Sequence, residues 1–334
     1  MRVGLAYDLK QTVRVDSTAP DDALEEYDSP ATIEYIRKAL EGAGHTVVTL
    51  GGGQEFIRNI LQEKVDFVFN ISEGRGTYRS REAQVPSILE MLDIPYTGSD
   101  PETLAICLDK PLTKKLVTLE GVSTPEWRVI SNEKEIEEVS WNGFYFPAIV
   151  KPVYEGSSKG VHGKSLVDSA VQADETVREM LAVYRQPVMV EQFIDGDEVT
   201  VGMLGNTPPR VLGMMRILPR KQKNRFVYSV EVKRDWRNLV DYEAPSILKE
   251  STQALIEEYS LKTFKTLGCR DFARIDFRVS KDGIPYMLEI NPLPGLGDYS
   301  DLVIMALKLG WTHEGVIAAV FNAALERHPL WVHG

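Results

Sequence analysis

Arg274, Asp276, Glu289 and Asn291 are the residues whose types and spacing most plainly suit chemistry. Arg274 and Asp276 lie two apart in Arg274-Ile275-Asp276-Phe277, as do Glu289 and Asn291 in Met287-Leu288-Glu289-Ile290-Asn291-Pro292. Residues two apart share one face of a β-strand. Ile275, Phe277, Leu288 and Ile290 then point the other way, into apolar packing. Lys281-Asp282-Gly283 between the runs forms a turn, so the spacing predicts a hairpin. Asp276, Glu289 and Asn291 converge on one patch of oxygen ligands, a set that suits Mg²⁺, with Mn²⁺ as a substitute. Arg274 adds a fixed positive charge. Such a patch can serve nucleotide phosphates without a Walker loop.

The elements that must position this patch read as α/β. A strand at Val3–Ala6, a helix from Ala31 to Gly42 opened by Ser29-Pro30, a strand at Val47–Leu50, a helix from Phe56 to Lys64 and a strand at Phe67–Asn70 give a β-α-β-α-β order. That order favours a parallel sheet. No G-x-G-x-x-G follows the first strand, so a dinucleotide fingerprint is absent. The loop from Asp8 to Asp28 is long and acidic, and reads equally as functional or as a surface segment. Further on come a helix at Asp109, the strands Val188–Glu191, Glu198–Leu204 and Val211–Ile217, a helix from Ser251 to Leu267 and a terminal helix from His313 to Arg327. Ser158 to Ser165 nearly matches the Walker pattern, but Ser158 stands at the first glycine and a strand follows, so a P-loop is rejected.

Composition narrows the partners. The chain has 334 residues, 43% hydrophobic and 26% charged, enough for two or three domains. A formal net charge of -11 argues against nucleic acid. Cys107 and Cys269 read as buried thiols of a cytoplasmic protein, and the five histidines form no zinc-like cluster. No stretch approaches the ~20 apolar residues of a membrane span, and the N-terminal apolar run is too short for a signal peptide.

Several runs together resemble the ATP-grasp ligases, and within them the D-alanine–D-alanine ligases. They are Ile94-Pro95-Tyr96-Thr97-Gly98-Ser99, Asp109-Lys110 with Thr113-Lys114, Ile149-Val150-Lys151-Pro152, Glu155-Gly156-Ser157-Ser158-Lys159-Gly160-Val161 and Glu191 to Glu198. Ala273 to Phe277 and Leu288 to Gly295 complete the series. The resemblance implies three α/β domains, 1–108, 109–194 and 195–334, with ATP between the last two. It also implies that Lys110 and Lys151 contact ATP phosphates, and that Glu191 lies near the adenine amino group. Gln192, Phe193 and Ile194 then run along the adenine edge, and Glu198 reaches the ribose. Lys233 in Tyr228–Lys233 falls on a mobile lid, with the basic run Arg220–Arg225 before it. Ser300 matches a hydroxyl that holds the acceptor carboxylate. A homodimer is compatible with this family.

Physical readings stand beside these. The Gly/Ser-rich turn Glu155, Gly156, Ser157, Ser158 can bring backbone N–H groups to phosphate oxygens, with a plain hairpin turn as the alternative. Arg274 and the Gly295 N–H can stabilise a tetrahedral oxyanion, with a turn glycine as the alternative for Gly295.

The first-substrate half departs from the family. The glutamate expected after the first strand, which would pair with the first substrate's ammonium, is missing from Ala6-Tyr7-Asp8-Leu9-Lys10-Gln11. Candidate replacements are Asp8, Glu73, Arg79, Arg81 and Glu82. The reading is an ATP- and Mg²⁺-dependent ligase joining a small carboxylate to an amine through an acyl phosphate. Two alternatives are a D-alanine–D-alanine ligase and a non-catalytic ATP-binding regulator. The missing glutamate counts against two D-alanines as substrates, and the two arginines suggest a larger or more anionic donor.

Overall fold

The computed structural model describes residues 1–221 and 225–328. Strands β1 (Arg2–Ala6), β2 (Thr46–Gly51) and β3 (Phe67–Asn70) form the expected parallel sheet in the order β2-β1-β3. The helix Pro30–Gly42 begins as its sequence dictates. Ser29 Oγ accepts from the Thr32 N–H at 3.3 Å, and Pro30 occupies the first turn, where no N–H is missed. Ile33, Ile36 and Leu40 on its inner face pack with Phe67 and Phe69.

Strands β4 (Trp127–Ile130), β5 (Ala148–Pro152), β6 (Leu166–Val167) and β7 (Val188–Gln192) form an antiparallel sheet in the order β4-β7-β5-β6. The helix Ala170–Tyr184 covers it through Ala173, Val177 and Met180. Strands β8 (Gly196–Leu204), β9 (Arg210–Pro219), β10 (Val240–Glu243), β11 (Phe272–Ser280) and β12 (Pro285–Asn291) build the third sheet, in the order β10-β9-β8-β11-β12. Ile256 and Phe264 of the helix Glu250–Thr266 pack on it with Ile275 and Phe277.

Packing crosses the expected divisions at 108/109 and 194/195. Val117, from the helix Lys110–Leu119, joins the core of the third sheet. Val316, Val320 and Phe321, from the helix His313–Glu326, close the core of the first. Cys107 and Cys269 are both free and buried. No single helix among the described residues is long and apolar enough to cross a membrane.

The β11–β12 hairpin forms with Arg274 opposite Asn291 and Asp276 opposite Glu289. One detail differs from strict alternation. Phe277 pairs with Met287, so Leu288 is an extra residue in a bulge. Met287 therefore takes the core position expected for Leu288, while Leu288 turns onto a cleft wall.

Candidate active site

A cleft of about 870 Å³, open solvent included, lies between the second and third sheets. Lys151, at the end of β5, is buried and holds the Glu191 carboxylate at 2.7 Å. Lys114 holds the same carboxylate from the other side at 2.6 Å and is fully buried. Burial works against the charge on Glu191, but Lys114 and Lys151 outweigh it and keep the carboxyl below its usual range. Burial is also the main reason the Lys114 ammonium falls to about 8. Lys114 Nζ meets Glu191 Oε1 and Lys151 Nζ meets Oε2, so each carboxylate oxygen has its own cation.

Gln192, Phe193, Ile194 and Glu198 line this cleft. The Gln192 and Phe193 N–H groups are already committed to the carbonyls of Glu126 and Pro147. Arg278 carries much of the remaining geometry. It donates to the carbonyls of Ile194, Gly196 and Phe226, pairs with Glu198 at 3.0 Å and lies 4.6 Å from the Phe193 ring centroid. Arg278 was missed in the sequence, although the two-residue period from Arg274 through Asp276 leads to it.

The Glu155–Val161 loop separates this cleft from a second cavity. Ser157 and Ser158 both adopt positive φ, 49° and 61°. Two consecutive left-handed non-glycine residues carry strain of the kind found at ligand clamps. Gly156 plays a different part from the one expected. Its N–H donates to Glu26, and a Cβ there would sit 2.9 Å from Glu26 Oε1. Its small size admits a carboxylate rather than a phosphate.

Lys110 reaches both cavities, donating to the Glu155 carbonyl with Glu289 at 3.5 Å. Glu289 is opposed by burial, but Lys110, Lys151, Arg274 and Lys233 bring it down to about 2. Arg274 donates to both oxygens of Asp276, with its Nη2 2.8 Å from Oδ2, and lies 4.0 Å from Glu289. Asn291 Nδ2 is 3.5 Å from Asp276. Two carboxylates and an amide in register on one sheet face give an oxygen-only donor set, and Glu289 is held ionised. The residues fit a hard divalent cation such as Mg²⁺.

The second cavity is lined by Glu26, Glu73 and Glu82 together with Lys110, Arg274 and Gly295. Glu26 comes from the long acidic loop, which the structure ties down at several points. Asp22 accepts from the Gly160 N–H and the Tyr184 hydroxyl, and Asp8 and Asp28 meet through their backbones. Glu26 is clasped by Arg81 at 2.8 Å and Lys159 at 3.2 Å. Burial raises its carboxyl, but these two cations outweigh it and bring it to about 2.

The remaining candidates divide. Asp8 is buried against Arg75 at 2.9 Å and accepts from the Gly74 N–H, outside both cavities. It braces the loop. Arg79 is exposed on a turn. Arg81 is buried but its charge is met by Glu26 and Glu155. The two arginines therefore do not make an anion-selecting pocket. Ser300 donates its hydroxyl proton to the Gly295 carbonyl, so that donor is spent inside the loop. Lys233 lines the cleft, 5.1 Å from the Tyr228 ring centroid. Its segment is fastened to the Glu155–Val161 loop by Ser158 Oγ to the Tyr228 carbonyl and Val230 N–H to Val161. Of the basic run, Arg220 and Arg225 pair with Asp241 and Asp168 at the surface. Residues 222–224 lie outside the described residues.

The fold matches solved structures over its whole length. A Bacillus anthracis D-alanine–D-alanine ligase complexed with ATP superposes with a TM-score of 0.71 at 24% identity, over 98% of this chain and 97% of that one. A D-Ala:D-Ser ligase from Enterococcus faecalis gives 0.72 at 19% identity, over 97% and 99%. The fold is thus ATP-grasp, that of ATP-dependent ligases. Residues 116–322 match the family model described as D-ala D-ala ligase C-terminus. A D-alanine–D-alanine ligase of Aquifex aeolicus is 37% identical over 292 residues, covering 87% of this chain and 94% of the relative. An uncharacterised protein of Sinorhizobium fredii is 31% identical over 88% of each. The chain belongs to the D-alanine–D-alanine ligase family and is an enzyme that forms carbon–nitrogen bonds.

Proposed function

We propose that this enzyme joins two amino acids through an acyl phosphate formed with ATP. One observation carries the reading: Lys110 and Glu289 stand at the junction of the cleft between the second and third sheets and a second cavity lined by carboxylates and by Arg274. A donor amino acid fits that cavity with its ammonium toward the glutamates and its carboxylate toward Lys110. A carboxylate oxygen bonds to the γ-phosphorus as the bond to ADP breaks. The acceptor's neutral amine then attacks the acyl carbon, phosphate leaves and the nitrogen loses a proton. Arg274 and the Gly295 N–H face the oxyanion that develops between these events. Asp276, Glu289 and Asn291 would hold Mg²⁺, which offsets phosphate charge when bound. Lys151 and the Ser157–Ser158 turn hold phosphate, and Glu191 and Ile194 border the adenine.

Several relatives are named for D-alanine, which makes it the first acceptor to test and the reference against which donors are compared. The objection drawn from a missing glutamate falls, because Glu26, Glu73 and Glu82 bring carboxylates to the donor cavity from other parts of the sequence. The test is ADP release with ATP, Mg²⁺ and pairs of amino acids, with products identified by mass. Dipeptide with matching ADP is expected. ATP binding without product from any amino acid pair overturns the reading.

A further inference from the structure

The donor cavity is lined by more carboxyl groups than the single ammonium of one amino acid can pair with. Four of the carboxylates in and around it are already matched. Glu26 and Glu155 share Arg81 and Lys159, which lie within 3.3 Å of both or closer. Glu289 lies beside Lys110, and Asp276 is paired with Arg274. Glu73 and Glu82 are left over. Glu82 is only 8% exposed, yet among the described residues neither it nor Glu73 has a hydrogen-bond or ion-pair partner. Both line the cavity. Glu82 is buried and Glu73 half-buried, and a carboxylate so placed without a partner is costly, so the pair points to a ligand that supplies the missing charge.

A neutral α-amino acid supplies one ammonium, since its carboxylate is turned to Lys110 and reacts. We infer that the donor carries a second cationic centre, so that the substrate class is a diamino or otherwise basic amino acid, with Glu73 and Glu82 as its specificity residues. This rests on the amino acid ligase reading and sharpens it. The extra charge belongs to the donor rather than the acceptor. The acceptor amine must be uncharged to attack, whereas the donor's cations stay protonated throughout. Burial first, and then their neighbours, raise both carboxyls above the usual range, as expected of groups awaiting a cation: Glu82 and Glu26 act on Glu73, while Arg81 only partly offsets the rise of Glu82. The sign is the reverse of the anionic donor suggested by the sequence.

The experiment uses the full chain with ATP and Mg²⁺. Alanine, norvaline, 2,3-diaminopropionate, ornithine and lysine, in both chiral forms, are each paired with themselves and with D-alanine. ADP release gives kcat/KM, and fragment masses give the order of residues in the product. A basic donor at the N-terminal position, favoured at least tenfold over the neutral amino acid of similar length, is expected. The preference should shrink at least tenfold in Glu82→Gln and Glu73→Gln. Dipeptide formed equally well from neutral donors overturns the inference and leaves the ligase reading intact. An unchanged preference in both variants overturns the residue assignment. No product from any pair overturns the inference together with the ligase reading.

Discussion

Replacing Glu82 with glutamine should make the protein more stable at neutral pH. The change keeps the shape and removes a charge that Arg81 and Lys110 only partly offset. In the folded state burial raises the Glu82 carboxyl from 4.5 to about 7. At about 1.4 kcal/mol for each tenfold change, that is on the order of 3 kcal/mol. The sign follows from the direction. Below pH ~4.5 both folded and unfolded states hold the proton, and the wild type carries no penalty. Between pH ~4.5 and 7 the unfolded chain releases the proton first, so wild-type stability falls as pH rises. Above pH 7 the full penalty is present. Glutamine does not titrate, so the variant lacks this fall. Urea unfolding at pH 5 and pH 8 tests it, and the quantity to compare is the variant minus the wild type. Other titrating groups are common to both proteins and largely cancel in that difference. The difference should grow by roughly 1–3 kcal/mol from pH 5 to pH 8, the lower figure allowing for relaxation around a coupled pair. A variant no more stable than wild type at pH 8, with a parallel pH profile, would refute the claim that Glu82 is unpaired in the folded protein.

Glu289→Ala should abolish Mg²⁺-dependent ADP release while leaving the circular dichroism spectrum unchanged; full turnover would remove Glu289 from the metal set. Lys151→Ala should raise the KM for ATP at least tenfold, measured against Lys164→Ala. Lys164 is a sound control because it sits at the surface beside Glu179. Lys159 is not one, since it is buried against Glu26 and Glu155. Lys114→Met leaves Glu191 buried with Lys151 alone, and should cost about 3 kcal/mol in urea unfolding; a loss below about 1 kcal/mol would show that Lys151 suffices.

The Arg274–Asn291 hairpin patch was legible because its geometry is local. Arg274 and Asp276 share a face through the two-residue period, and a short turn brings Glu289 and Asn291 opposite them. The same period runs on to Arg278, so that residue could have been found. Leu288 could not, because a single bulge changes its face without a marker in the sequence. The donor half is built from distant segments. Glu26 meets Arg81 55 residues away and Gly156 130 residues away. No local pattern encodes such a meeting. The arginines show the same limit: Arg79 and Arg81 are neighbours in the sequence, yet one faces solvent and the other is buried and neutralised.

Charge placement also bears on how a donor would be oriented. Lys110 and Arg274 lie 3.5 and 4.0 Å from Glu289, and they line the second cavity together with Glu73 and Glu82, which have no ion-pair partner among the described residues. A small basic amino acid has a negative end and one or more positive groups. Its favourable orientation sets the carboxylate toward Lys110 and Arg274 and the positive groups toward Glu73 and Glu82. The opposite orientation would set the carboxylate against Glu73 and Glu82 and the ammonium against Lys110 and Arg274, so both ends would be repelled. At an effective dielectric near 20, each unit charge at 4 Å contributes about 4 kcal/mol before desolvation is counted. Even a small fraction of that sum is worth a tenfold preference at about 1.4 kcal/mol. Orientation can thus come from electrostatics with little demand on shape. It follows that a donor's charge pattern should matter more than its length. Ornithine and lysine should differ less from each other than either differs from norvaline.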